Sequence, residues 1–229
     1  MSRAENDFRK HKAHVEAFFD RARASVYTDA SLHVAIAQNR AVWQLSKVAV
    51  AEIAALLLHE SRLKVVTLAS AHYASVYRYV WDAPSPFEMA LSLRSNSYLS
   101  YGTAACLWGL LKDLPATFYV NKEQSPKEQF GQLTQDALDR AFSSRPRQSK
   151  LVYSDDNGHE FVVIAGKCTN ALEVGAIHGP NGERLQATKL ERTLIDVTVR
   201  PIYCGGVRKV LEAYETARGR LSPKRLMAT

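Results

Sequence analysis

The stretch Leu63-Lys-Val-Val-Thr-Leu-Ala-Ser-Ala-His-Tyr-Ala-Ser-Val-Tyr-Arg-Tyr-Val-Trp81 decides how the front of this chain is read. Its arms, Leu63–Leu68 and Ala74–Trp81, are rich in β-branched and aromatic residues, which suit a pleated, half-buried surface. The polar link Ser70–Tyr73 joins them. The pattern predicts a hairpin, although it has no Asn-Gly turn.

Upstream of this stretch the period is helical. Phe8, Val15, Phe18, Phe19 and Ala22 fall on one face, and Arg9, Lys10, Lys12, Arg21 and Arg23 on the others, predicting a helix over residues 7–24. Asp29 is placed to cap a second helix ending near Arg40. Val50, Ile53, Ala54, Leu57 and Leu58 mark a third, from Lys47 to Glu60. Short helices followed by a hairpin are the plan of a winged helix-turn-helix.

Downstream, Asp82-Ala-Pro-Ser-Pro86 is a clear break. It divides the expected α+β chain into a winged-helix domain over residues 1–82 and a mixed α/β domain over residues 83–229. In the latter, Tyr98–Leu111 is apolar nearly all round and predicts a central helix. Ala116–Val120 reads as a strand, and Ala137, Leu138, Ala141 and Phe142 as a helical stripe. Leu151–Tyr153 with Phe161–Ile164, and Val174–Ile177 with Arg184–Ala187, flank Asn-Gly pairs and predict two hairpins. Thr188 and Glu191 have capping-box spacing at the head of a helix lined by Leu190, Leu194 and Val197. Pro201 stops that helix, and Gly205-Gly206 turns the chain. Val207, Val210, Leu211 and Tyr214 form the inner face of another helix, with Arg208 and Glu212 paired outside.

Composition sets the outer bounds. The 229 residues are 46% hydrophobic, enough for two modest cores. No apolar run approaches the roughly 20 residues that cross a bilayer, and the first ten residues lack the apolar core of a signal peptide. The chain therefore reads as cytoplasmic, with no membrane partner. Cys106, Cys168 and Cys204 are far apart and odd in number, which suits buried thiols rather than a disulfide framework. The net charge of +7 permits nucleic-acid binding without demanding it. Residues 1–100 carry 12 Lys and Arg against 9 Asp and Glu, and residues 101–229 carry 18 against 14. A DNA-binding face must therefore come from placement.

Placement nominates Arg40 and Lys47 beside the third helix, Arg62 and Lys64 at its exit, and His72, Tyr73 and Arg78 at or near the hairpin tip. A cation beside a helix N-terminus suits phosphate, and a wing can reach the minor groove. Ordinary solvated charge is the competing reading. The sequence offers no metal site: only His11 and His14 share a helix face, without a carboxylate or cysteine set. It has no nucleophile elbow, Walker loop or dinucleotide fingerprint, so no catalytic residues or cofactor are expected. Asp155, Glu160, Lys167 and Glu173 lie around β-strands, as metal-nuclease carboxylates often do, but Asp155-Asp156 suit a turn.

Three blocks carry a resemblance. Leu190-Glu-Arg-Thr-Leu-Ile-Asp196 leads to Arg200-Pro201, Tyr203-Cys-Gly-Gly-Val207 and Val210-Leu-Glu-Ala-Tyr214. Upstream lie Tyr98-Leu-Ser-Tyr-Gly-Thr-Ala104, ending Trp108-Gly-Leu-Leu111, and Phe118-Tyr-Val-Asn-Lys-Glu-Gln124. In this order, over residues 86–218, they resemble the AbiEi-type antitoxin family of type IV toxin-antitoxin systems. The chain departs at Tyr101 and Trp108, where family members often carry His. The resemblance implies a repressor that binds double-stranded DNA, at inverted repeats upstream of its own operon. It also implies an antitoxin against a nucleotidyltransferase-like toxin that need not stay in a stable complex. A monomer is expected. Direct restraint of a partner enzyme and a DNA-acting hydrolase using Glu160 or Glu173 are the alternatives.

Overall fold

A computed structural model describes residues 2–22, 24–112, 116–126, 134–143 and 147–228. The protein is α+β and has two sheets. Its front comprises α1 (Arg3–Arg21), β1 (Val26–Tyr27), α2 (Asp29–Asn39), α3 (Val50–Glu60), β2 (Leu63–Leu68) and β3 (Val76–Trp81). These strands form an antiparallel sheet in the order β1-β3-β2.

Capping sets the helix starts. Ser2 and Glu5 form a capping box, so α1 begins at Arg3, four residues before the expected start at residue 7. Arg23 lies outside the described residues. Thr28, not Asp29, caps α2: its hydroxyl accepts from the Ser31 amide at 3.1 Å. Thr28→Ala is therefore expected to cost about 1 kcal/mol in urea unfolding, and Asp29→Ala only a few tenths. The third helix starts at Val50 rather than Lys47, because buried Leu45 and Val48 hold the preceding turn.

The hairpin has two buried faces. In its register, Leu63↔Trp81, Val65↔Tyr79 and Thr67↔Tyr77 alternate with Lys64↔Val80, Val66↔Arg78 and Leu68↔Val76. Leu63 and Trp81 complete the helical core with Phe8, Phe19, Leu32, Ile36, Ile53 and Leu57. Phe19 stacks on Trp81 with centroids 4.8 Å apart. Leu68 and Val80, on the other face, pack with Phe87, Phe118 and Phe161 from beyond residue 82. The Ala69 and Ser154 backbones also exchange hydrogen bonds at 2.9 and 2.8 Å. The break at 82 thus lies in a chain link, while one core crosses it.

The second part runs α4 (Pro86–Ser92), β4 (Tyr98–Leu99), α5 (Tyr101–Leu107), β5 (Thr117–Glu123), α6 (Gln135–Ser143), β6 (Val152–Ser154), β7 (Glu160–Gly166), β8 (Val174–His178), β9 (Arg184–Thr188), α7 (Leu190–Val199), a 3-10 turn (Pro201–Cys204), α8 (Val207–Ala217) and α9 (Pro223–Ala228). The side chains of Ala137, Leu138, Ala141 and Phe142 lie outside the described residues. The sheet order is β6-β7-β5-β4-β9-β8, with β5 parallel to β7 and β4 parallel to β9. One sheet face carries Phe118, Val120, Phe161 and Val163 toward the hairpin and α4. The other carries Tyr119, Val162 and Ile164 against Tyr101 and Tyr203.

Five local expectations change. Val207 and Leu211, expected on the inner face of α8, are 65 and 59% exposed, and Val210, Ala213 and Ala217 form its buried face. The apolar run from Tyr98 divides into β4 and α5, because Tyr101 takes a left-handed φ of 51°. In the two Asn-Gly hairpins only Gly158 and Gly182 have positive φ, so the loops use one left-handed residue rather than two. The Thr188–Glu191 capping box does not form. The Thr188 hydroxyl bonds that of Thr193 at 2.8 Å, and buried Glu191 accepts the Ser222 amide at 3.2 Å. Glu212 pairs with Lys209 at 2.9 Å instead of Arg208. Among the described residues, no helix is long and apolar enough to cross a membrane.

Candidate nucleic-acid interface

The turn between α2 and α3 is held from inside. Trp43, Leu45 and Val48 are buried, and the Arg40 guanidinium donates to the Val48 carbonyl at 3.2 Å. This leaves Ser46 and Lys47 exposed just before α3. Lys47 has no ion pair or side-chain hydrogen bond among the described residues. Ala49 gives no side-chain cap, so the first amides of α3 remain open beside Lys47. Such a corner suits an oxyanion.

The outer face of α3 is unusual for base reading. It exposes Ala51, Glu52, Ala55, Leu58 and His59. The helix has no Arg, Lys, Asn or Gln, the side chains that make bidentate contacts to guanine or adenine. The chemistry available here is phosphate contact at the turn, apolar contact with thymine methyl groups, and single hydrogen bonds.

The seven nominated residues do not come together as one face. Lys64 is exposed on β2 without a partner among the described residues, and His72 and Tyr73 are exposed in the hairpin link. Two others are corrected. Arg62 is exposed but engaged: its guanidinium pairs with Asp20 and with Asp82 at 2.8 Å and lies 4.8 Å over the Trp81 ring. Arg78 is 8% exposed and donates to the Ser92 carbonyl at 2.9 Å, the Ser92 hydroxyl at 3.1 Å and the Tyr77 carbonyl at 2.7 Å. Burial lowers its affinity for a proton, and it is a strut between β3 and α4. The Arg78 guanidinium is not available to DNA without breaking these bonds.

Sequence reading missed a basic cleft at the hairpin tip. One hollow of about 380 Å³ is lined by Tyr73, Arg94, Lys122, Gln124 and Lys150. A second, of about 560 Å³, shares Ser149 and Lys150 and reaches His72 and Gln148. Its cations lie far apart in the chain, so only folding assembles them.

The three motif blocks meet on the other side of the second sheet. Glu123 accepts from the Tyr98 hydroxyl at 2.9 Å, the Thr169 hydroxyl at 2.5 Å and the Thr169 amide at 3.0 Å. Burial opposes the charge of Glu123, but the Thr169, Tyr98 and Ala171 donors outweigh it and hold the carboxyl down at about 2. Arg192 reaches the Leu172 carbonyl at 2.9 Å and pairs with Asp196 at 2.9 Å. Burial nevertheless pushes Asp196 upward. Tyr101 packs edge-on against Tyr203, and the Trp108 indole donates to the Thr188 carbonyl at 2.8 Å. Tyr101 thus has a packing role and Trp108 a hydrogen-bonding one.

This network predicts a pH effect. Glu123 lies well below its ordinary 4.5, so its contribution is complete above that value and fades as pH falls toward 2. Glu123→Gln is expected to cost about 2 kcal/mol at neutral pH in urea unfolding. The gap to the parent should close between pH 4.5 and 2.

The hydrolase residues are otherwise engaged. Asp155 accepts from the Asn157 and His159 amides and the His159 ring. Glu160 accepts the Thr117 hydroxyl at 3.3 Å, and Glu173 pairs with Lys189 at 3.1 Å. Among the described residues, no group of three His, Cys, Asp or Glu side chains could hold a metal ion. Burial pushes the Cys204 thiol up to about 11, which makes it a poor nucleophile.

Comparison with known proteins adds no relative. No family model matches the chain, and no curated protein matches it.

Proposed function

We propose that the chain is a winged-helix repressor of its own operon and an antitoxin of the AbiEi type, opposing a nucleotidyltransferase-like toxin. The observation that carries the first part is topological. The order α1-β1-α2-α3-β2-β3, with the sheet ordered β1-β3-β2, is compatible with the plan of a winged helix-turn-helix and supports this reading. Open amides and free Lys47 at the head of α3 supply the phosphate contact this reading needs. In it, residues 1–82 hold the DNA-reading elements and residues 83–229 the effector elements.

The antitoxin part rests on the sequence resemblance. It draws support from the way Tyr98, Glu123 and Arg192, one from each motif block, share a single polar network. A promoter-reporter fusion of the DNA upstream of the gene tests repression. Expression should fall when the full chain is supplied; an unchanged signal with folded protein present contradicts the proposal. Growth rescue on co-expression with the neighbouring gene's product tests the antitoxin part.

A second reading, direct restraint of a partner enzyme, is favoured by one specific feature. Val199, Ile202, Val207 and Leu211 are 55, 44, 65 and 59% exposed along the α7–α8 corner. A protein partner would cover such a surface. Co-purification with the neighbouring gene's product, lost on Leu211→Glu, would support this reading.

A further inference from the structure

We propose that the basic cleft between the hairpin link and the second sheet binds a free nucleoside polyphosphate. The walls come from both parts of the chain. Tyr73 belongs to the link that follows Ala69, whose backbone is fixed to Ser154. Arg94 follows α4, Lys122 lies on β5, and Lys150 precedes β6.

The charge balance favours a polyanion. Lys150 has no ion pair or side-chain hydrogen bond among the described residues. Lys122 spends one N–H on the Ser95 carbonyl at 2.8 Å, and Arg94 spends one nitrogen on the Leu93 carbonyl at 2.9 Å. The remaining donors are open. Glu123, the carboxylate in this lining, is already taken by Thr169, Ala171 and Tyr98. Three cations gathered in one concavity repel one another, so a ligand carrying two or three phosphate charges relieves them.

Shape and the aromatic residue narrow the class. A hollow of about 380 Å³ is of small-molecule size and too narrow to admit a duplex. Tyr73 is 50% exposed and makes no hydrogen bond through its hydroxyl among the described residues, so its ring is open to a flat partner such as a base. Phosphates on Lys122, Lys150 and Arg94 with a base on Tyr73 would join the hairpin tip to the sheet.

Calorimetry of the full chain with ADP, adenosine and orthophosphate, in parallel with a random-sequence duplex, tests this. ADP should bind at least about tenfold more tightly than adenosine or orthophosphate, since each of those keeps only one part of the contact. The Lys122→Ala/Lys150→Ala double variant should weaken ADP about tenfold. Tyr73→Ala should weaken ADP and leave orthophosphate unchanged. Lys150→Glu, which breaks no existing bond, repeats the charge test should the double variant not fold. Duplex binding should be unaffected by Lys150→Glu, which separates this proposal from the repressor reading. The proposal is overturned by no heat with ADP at millimolar concentration, by equal affinity for ADP and orthophosphate, or by loss of duplex rather than ADP binding on Lys150→Glu.

Discussion

Phe118→Ala is expected to destabilise the protein by about 3–5 kcal/mol, the range for truncating a well-packed buried aromatic. The side chain is 1% exposed and lies edge-on to Phe87 at 5.2 Å and stacked near Phe161 at 5.7 Å. The same cluster holds Leu68 and Val80 of the hairpin. Loss of the ring therefore removes cover from both sides of the 82 boundary. Fluorescence of Trp43 and Trp81, followed in a Trp108→Phe background, reports the helical core. Far-UV circular dichroism reports the whole chain. Both should shift together to lower urea in Phe118→Ala. Fluorescence unchanged while the dichroism shifts would mean that the helical core stands alone.

The second large effect concerns DNA. Lys47→Glu should weaken binding to the upstream duplex about tenfold or more and lower the salt slope by about 1 to 2, because one phosphate contact becomes a repulsion. The loss should be similar on unrelated sequences, as for a phosphate contact. Lys47 is exposed and has no partner among the described residues, so stability should barely change. Arg62→Ala and Arg78→Ala make the opposite pair. They should cost stability through Asp20, Asp82 and Ser92, and leave the salt slope of the folded protein unchanged. Equal slopes for Lys47→Glu and the parent would remove the turn from the interface.

Much of the fold is legible in local pattern. The hairpin at Leu63–Trp81, the helical stripes before it, the Pro201 stop and the strand pairs around Asp155–Gly158 and Gly179–Gly182 all follow from period and turn chemistry. What local pattern hides is partner choice at long range. Arg78 reads as a surface cation, yet its strand is covered on that face by α4, 14 residues further on. Arg62 reads as free, but Asp20 is 42 residues away in sequence. Glu191 has capping-box spacing, but the Ser222 amide, 31 residues downstream, claims it.

The candidate site divides in the same way. Lys47 could be nominated because it adjoins the helix it serves. Tyr73 could be nominated from its place in the link, whereas Arg94, Lys122 and Lys150 come to it only through tertiary folding. The absence of Arg and Lys from α3 is readable directly in Val50–Glu60. In the proposed repressor, that places the weight of DNA contact on the N-terminal turn of the helix rather than on its face.

The most direct test of the central claim is fluorescence anisotropy of the full chain on labelled duplex from upstream of its own gene, titrated across salt. The account predicts binding that weakens by roughly 0.9 log units per log unit of salt for each phosphate contact, with preference over scrambled duplex. Absence of salt-sensitive binding to that duplex, with the protein folded by circular dichroism, would contradict it.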